Sequence, residues 1–185
     1  MAELHLTLGP MFAGKSTELI KLINFILQNK FCNSNELAII NHRIDNRDSD
    51  ESNICTHNYV KMPCLKMHNL ADIFTNSNIN INTIKYIFID EGQFFPDLYE
   101  TVKTLLLKYN KTIYISCLDG DYQQKPFYES RLFDLIPYAT SVTKLTARCA
   151  DCNNTAPFTK RLINSGEQIL VGGSDSYKPV CLNHL

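Results

Sequence analysis

Residues 9–16 read Gly-Pro-Met-Phe-Ala-Gly-Lys-Ser, a complete G-x-x-x-x-G-K-[ST] phosphate-binding motif. The strand-like run Leu4-His5-Leu6-Thr7-Leu8 precedes it, and an apolar helical pattern follows it. A strand, a glycine-bearing loop and a helix in that order are the context the motif needs. Glycine lets successive backbone N–H groups turn inward as an anion nest. A helix beginning at Lys15 aims its positive dipole end at the same anion. Lys15 is placed to reach the outer phosphates of a nucleoside triphosphate, and the Ser16 hydroxyl to ligate Mg²⁺. An accidental glycine turn ahead of a helix is the competing reading, and the flanking strand and helix weigh against it.

Outward from the loop, strand-like and helix-like segments alternate over the first 145 residues. Residues 17–28 carry Leu19, Ile20, Leu22, Ile23, Phe25, Ile26 and Leu27, which predicts a helix buried over much of its surface. Residues 37–40, 84–89, 112–117 and 141–145 read as strands. Leu98, Val102, Leu105, Leu106 and Tyr109 fall at helical spacing. Short helices are expected over 70–74 and over 132–136, the latter ended by Pro137. The stretch 42–64 is rich in charge and predicts a solvated, mobile loop. This alternation implies an α/β fold, a P-loop NTPase-like parallel sheet flanked by helices on both faces. From Cys149 the pattern changes to Cys, Gly and Asn with little periodicity, which suggests a small separate module. The expected domains are residues 1–145 and 146–185.

Composition narrows the class. The chain has 185 residues, 44% hydrophobic, with a net charge of −1. That length suits one domain with a small appendage. No basic excess marks a nucleic-acid or anionic-membrane partner, and neither is expected. No run approaches the roughly 18 apolar residues of a membrane span. The motif occupies the place of a signal peptide's apolar stretch, so a cytoplasmic, reducing location is expected. The seven cysteines are then thiols or metal ligands rather than disulfides.

Two further constellations carry chemistry. Asp90-Glu91 closes an apolar strand. An acidic residue there helps hold Mg²⁺ in phosphate-loop proteins. Adjacent strand residues point in different directions, so Asp90 serves a metal while Glu91 faces an acceptor and takes its proton. Solvated charges opening a turn are the plainer alternative. The second constellation is Cys149-x-x-Cys152 with Cys181-x-x-His184. Three thiolates and an imidazole make a closed, structural Zn²⁺ site, though the stretch between pairs is longer than in common zinc ribbons. Pinning both ends of 153–180 lowers the entropy lost when its middle is held against another surface. Gly172-Gly173 and Tyr177 in that segment suggest a lid over a base, with a decorative surface loop as the alternative. The aromatics Phe94, Phe95, Tyr122, Phe127 and Phe133 divide between core and a flat, base-stacking pocket.

The chain resembles the cellular-type (type II) thymidine kinases. The matches run in order along nearly its whole length: GPMFAGKSTELI at 9–20, Asp45-Asn46-Arg47, DEGQFFPDL at 90–98, LDGDYQQKPF at 118–127, KLTARC at 144–149, TKRL at 159–162, GGSDSY at 172–177 and VCLNHL at 180–185. The compact length is similar to bacterial or viral members, without the C-terminal tail of some animal members, so regulation through that tail is not expected.

The resemblance implies transfer of the ATP γ-phosphoryl group to the 5′-hydroxyl of thymidine, and of deoxyuridine, with Mg²⁺ and a structural Zn²⁺. It implies Glu91 as catalytic base and Ser16 and Asp90 as Mg²⁺ residues. ATP would be held by Gly9, Pro10, Met11, Phe12, Ala13, Gly14, Lys15, Ser16 and Thr17, with Asp45 and Arg47 near the phosphates and Arg161 a weaker candidate there. Met11, Phe94, Leu118, Tyr122, Phe127 and Thr159 would form the nucleoside pocket. The family's lasso would close over the base, with Leu170, Val171 and Gly172 reading its edge and Tyr177 stacking on it. Cys149, Cys152, Cys181 and His184 would hold zinc. A homotetramer and feedback inhibition by thymidine triphosphate are further family expectations. Two departures bear on these: His184 stands where many members have Cys, and Tyr122 where Phe is common. The rival reading is another P-loop kinase or NTPase with a zinc module, which predicts ATP turnover without a nucleoside acceptor.

Overall fold

In the run Tyr86-Ile87-Phe88-Ile89-Asp90, the three apolar side chains are wholly buried on both sides of the strand. Such a strand belongs at the middle of a parallel sheet covered on both faces. The computed structural model, which describes residues 1–45, 53–55, 60–164 and 166–185, places it there.

Along the chain run β1 (Glu3–Gly9), α1 (Lys15–Gln28), β2 (Leu37–His42), β3 (Asn53–Cys55), β4 (Lys61–Pro63), β5 (Leu65–Met67) and β6 (Tyr86–Asp90). Then follow α2 (Leu98–Leu107), β7 (Thr112–Leu118), β8 (Ser141–Lys144), β9 (Ala147–Arg148), β10 (Thr155–Ala156), β11 (Phe158–Arg161) and β12 (Tyr177–Val180). Six of these strands form one sheet in the order β5-β2-β6-β7-β1-β8, and every pairing in it is parallel. The rest form three antiparallel pairs, β3 with β4, β9 with β10, and β11 with β12.

Alternation along β6 divides the core. Ile87 and Ile89 pack in the cluster that holds Leu98, Val102, Leu105 and Leu106 of α2. Phe88 packs in the other cluster, with Leu19, Ile20, Ile23 and Ile26 of α1. The two helices therefore cover opposite faces, as the alternation of segments predicts. The buried part of α1 is a stripe rather than most of its surface, and Phe25 is exposed.

The charged stretch 42–64 is not simply a solvated loop. Its described part contains the β3–β4 ladder, with Ile54 opposite Met62. Ile54 is fully buried in the α1 cluster. Surrounding charge masks this short apolar pair in the sequence. The 3-10 turn Leu132–Tyr138 runs through Pro137 instead of stopping before it, since so short a turn loses only one N–H to proline. No helix among the described residues is long and apolar enough to cross a membrane.

Parallel pairing brings the carboxyl ends of the strands to one edge, where open α/β sheets bind ligands. There Gly9 lies opposite Leu118, and Asn41 opposite Asp90. Gly9 has φ 153°, and a Cβ on it would stand 2.5 Å from the Leu145 carbonyl oxygen. Only glycine lets β1 leave the sheet this close to β8's end.

Truncating Ile54 to Ala is expected to cost about 2–4 kcal/mol of unfolding free energy, read by urea denaturation. A loss below about 1 kcal/mol would mean that the hairpin is not seated on α1.

Candidate active site

The loop after β1 turns through Phe12 at φ 65° and Gly14 at φ 83° before entering α1. A phenylalanine in the left-handed region costs about 1–3 kcal/mol and persists only where packing over-determines it. Here Phe12 and Ala13 pack on a small core of Ala147, Cys149, Ala156, Val180 and Cys181 from the C-terminal module. The Met11 N–H also donates to Thr159 Oγ1 at 2.9 Å. The Lys15 ammonium donates to the Pro10 carbonyl at 2.7 Å. Burial pushes its pKa below the ordinary lysine value, and the charges of Glu91, Asp90 and Asp119 oppose that shift without cancelling it.

Met11, Phe12, Gly14, Lys15, Ser16 and Thr17 line one side of a cavity of about 240 Å³. Glu91 and Phe94, after β6, line it too, as do Leu118 at the end of β7 and Tyr122 and Phe127 beyond. The C-terminal module closes it with Thr159, Leu170, Val171, Gly172 and Tyr177. Phe94 and Phe127 meet edge-on at 5.8 Å.

The turn carrying Glu91 is unusual. Glu91 itself has φ 54°. A Cβ on Gly92 would stand 2.7 Å from both Cys117 Sγ and Ile115 Cγ2, so the turn lies flat on β7. Burial raises the Cys117 thiol well above its ordinary range, and the Glu91 and Asp90 charges push the same way, so it fills space as a neutral thiol. Asp90 is buried at the end of β6 and does not line the cavity.

Arg161 organises the closing segment. Its guanidinium stacks 3.8 Å above the Tyr122 ring centroid. Nε and Nη2 donate to the Tyr177 hydroxyl at 3.1 and 2.8 Å, and Nη2 also donates to the Gln168 carbonyl at 3.0 Å. The Tyr177 hydroxyl in turn donates to the Leu170 carbonyl at 2.7 Å. Gln168 Nε2 donates to Asp121 Oδ2 at 2.8 Å, tying the segment to the turn after β7. Arg161 thus holds aromatic rings and carbonyls together.

Asp45 is buried on the cavity wall, and its Oδ2 accepts from Asn41 Nδ2 at 2.8 Å and lies 3.8 Å from Lys66 Nζ. Arg47, paired with it in the sequence motif, lies outside the described residues. Gly9, Pro10 and Ala13 shape the loop but, like Asp90, do not line the cavity, whereas the other described residues expected to contact ATP or nucleoside do. Local sequence had assigned nothing to Gln93, Asp121 or Gln168. The first two sit inside motifs already quoted, but their partners are far away in the chain.

At the other end of the C-terminal module, Cys149, Cys152, Cys181 and His184 bring their ligand atoms within 4.8 Å of one another. Cys149 Sγ is 3.6 Å from His184 Nδ1, Cys152 Sγ 3.6 Å from Cys181 Sγ, and Cys181 Sγ 3.2 Å from His184 Nδ1. Tetrahedral zinc at ordinary bond lengths sets its ligand atoms about 3.5–3.8 Å apart, so geometry and donor set fit that ion. Burial opposes a thiolate at Cys149, but backbone N–H groups of Cys181, Asp151 and Cys152 prevail and hold its pKa at about 6.

Residues 2–185 match the family profile described as Thymidine kinase. The thymidine kinase of Oryza sativa subsp. japonica is 37% identical over 183 residues, 98% of this chain and 65% of that protein. That of Myxoma virus (strain Uriarra) is 37% identical over 179 residues, 97% of this chain and 93% of that protein. The cytosolic thymidine kinase of Homo sapiens is 38% identical over 180 residues, 97% of this chain and 71% of that protein. The chain therefore spans just under two thirds of the plant relative and nearly all of the viral one.

Lysine cannot reproduce the planar fork of Arg161. Arg161→Lys is expected to speed amide exchange over 168–172 on the order of tenfold, read by hydrogen–deuterium exchange mass spectrometry. An unchanged pattern there would deny Arg161 its organising role.

Proposed function

This chain belongs to the thymidine kinase family, and we propose that it transfers the γ-phosphoryl group of ATP to the 5′-hydroxyl of thymidine, and of deoxyuridine. The observation that carries this reading is a single cavity lined by the phosphate loop, by Glu91 and by the Tyr177 segment. A donor clamp, a proton acceptor and a base-sized aromatic surface share one space.

At the donor end, Lys15 and the first-turn N–H groups of α1 hold the triphosphate, and the flanking Met11 and Phe12 wall the cavity. Asp45 lies on the same wall, and Arg47 joins it near the phosphates by family pattern. At the acceptor end, Phe94, Leu118, Tyr122 and Phe127 enclose the nucleoside with Thr159. Tyr177 stacks on the base, and backbone groups of Leu170, Val171 and Gly172 read its edge. Fixed backbone donors and acceptors reject an ill-matched base strongly, because its partners are left unpaired.

In the reaction, the thymidine 5′-oxygen attacks the γ-phosphorus as the bond to the β,γ-bridging oxygen breaks. The 5′-hydroxyl proton passes to the Glu91 carboxylate, and the products are dTMP and ADP. Lys15 balances charge developing on the leaving phosphate. Oxygen donors suited to Mg²⁺ are present in Ser16 and Asp90. Asp90 is buried just behind the cavity lining, at the end of β6, and with Ser16 would hold Mg²⁺. When bound with ATP, Mg²⁺ neutralises phosphate charge.

Cys149, Cys152, Cys181 and His184 hold a structural zinc in this reading, supported by their spacing and donor set. The chain divides into a nucleotide-binding domain, 1–145, and a zinc-binding lasso domain, 146–185. The change from parallel sheet to short antiparallel pairs after β8 supports that division. Family membership also supports a homotetramer, inhibition by thymidine triphosphate and a cytoplasmic location.

A phosphoryl-transfer assay with ATP against thymidine, deoxyuridine, deoxycytidine and deoxyguanosine tests the activity. Thymidine is expected to be the strongest acceptor, and ATP hydrolysis indifferent to all four would sink the proposal. Glu91→Gln is expected to lower kcat about 10²–10⁴-fold with both KM values nearly kept. Removing zinc with a chelator is expected to lower Tm and weaken binding of both ATP and thymidine, because the metal module supports Phe12 as well as the lasso. Equal Tm and affinities before and after complete metal removal, checked by elemental analysis, would contradict that support.

A further inference from the structure

We propose that Gln93 is the positioning residue for the Glu91 carboxylate, an inference that rests on the reading of Glu91 as the base. Gln93 is 3% exposed, in the 3-10 turn Gly92–Phe94 that follows β6. Its Nε2 donates to Glu91 Oε2 at 2.6 Å, and its Oε1 accepts from the Leu118 N–H at 2.9 Å. The amide's orientation is set by chemistry. A backbone N–H only donates, so the end facing Leu118 is oxygen and the end facing Glu91 is the NH₂ group. Glu91 therefore meets a fixed donor, which an ionised carboxylate accepts readily.

The clamp joins the carboxyl ends of two neighbouring strands. β6 and β7 pair in parallel, and Gln93 links the residue just after β6 to the last residue of β7. Leu118 itself lines the cavity, so the same amide indexes the carboxylate to the pocket wall. The backbone beneath leaves little slack. Glu91 is held at φ 54°, Gly92 lies against Cys117 and Ile115, and the Phe94 N–H donates to the Glu91 carbonyl at 3.1 Å. A glutamate has three side-chain torsions to order, and a base must stand within hydrogen-bond reach of its proton. Misplacement by about 1 Å costs on the order of 10²-fold in rate.

A double-mutant cycle tests this. Gln93→Met removes both polar ends, whereas Gln93→Glu keeps an acceptor for Leu118 and replaces only the donor facing Glu91. Each is made in the wild-type chain and in Glu91→Gln, with Tm recorded, so that if Gln93→Met does not fold Gln93→Glu still carries the test. In the wild-type background kcat is expected to fall on the order of 10–100-fold, with KM for ATP and thymidine kept within about threefold. In the Glu91→Gln background the further loss is expected to stay below about threefold, because the group being positioned is already disabled. Equal losses in both backgrounds, or a rise in KM with kcat kept, would overturn the positioning role. So would full kcat in the Gln93 variants where Glu91→Gln is impaired. If Glu91→Gln itself keeps wild-type kcat, the base assignment falls and this inference with it.

Discussion

Phe12 and Ala13 rest on Ala147, Cys149, Ala156, Val180 and Cys181, and the two ends of the molecule depend on that contact. On one side is a loop whose Phe12 has a left-handed backbone that isolated chains avoid. On the other is a module of two-residue and four-residue ladders, too small to bury much on its own. Each supplies what the other lacks. The module gives the strained loop a surface to pack on, and the loop gives the module apolar cover. The Met11–Thr159 hydrogen bond ties the same elements on the cavity side. Two ligands of the Cys/His cluster, Cys149 and Cys181, belong to the shared core. The Cys/His cluster and the loop at 9–16 are therefore mechanically linked.

The cavity is assembled from elements of different rigidity. Its floor comes from the ends of β1, β6 and β7 and the turns after them, strands that pair in parallel over four to seven residues. Its cover comes from a long connection between β11 and β12 held by side chains, chiefly Arg161 and Gln168. A rigid floor suits in-line phosphoryl transfer, where positioning does most of the work. In the proposed reaction, a cover tied by a few polar contacts suits a surface that opens for nucleoside exchange. Gln93 belongs to the floor by this division, being buried between two central strand ends, whereas Arg161 belongs to the cover.

Much of the site was legible because its chemistry is local in sequence. The loop at 9–16, the Asp90-Glu91 pair and the two Cys/His pairs each place their groups within a few residues. Strand and helix periodicity predicts five of the sheet's six strands and its two covering helices, with boundaries displaced by a residue or two, but not the three-residue edge strand β5. The misses have a common cause. The β3–β4 hairpin was read as solvated because charge surrounds it, while a single fully buried Ile54 decides its place. The stacking of the Arg161 guanidinium on Tyr122 is equally hidden in the sequence, because the two residues lie far apart in the chain. Asp90 and Glu91, by contrast, point in different directions as their adjacency at a strand end predicts, Glu91 lining the cavity and Asp90 buried.

The sequence by itself determined the fold class, the glycine-bearing loop at 9–16, the carboxylate pair and the two Cys/His pairs. Residue type and spacing suffice for these, because backbone nests, strand alternation and tetrahedral ligation are set over a few residues. Only the tertiary structure decided which groups act on one another across the chain. It set Thr159 against Met11, Gln93 against Leu118, Gln168 against Asp121 and Phe12 against the C-terminal core. Such contacts depend on where strand ends meet and how two modules pack. That placement follows from burying apolar surface over the whole chain, which no short window of residues contains.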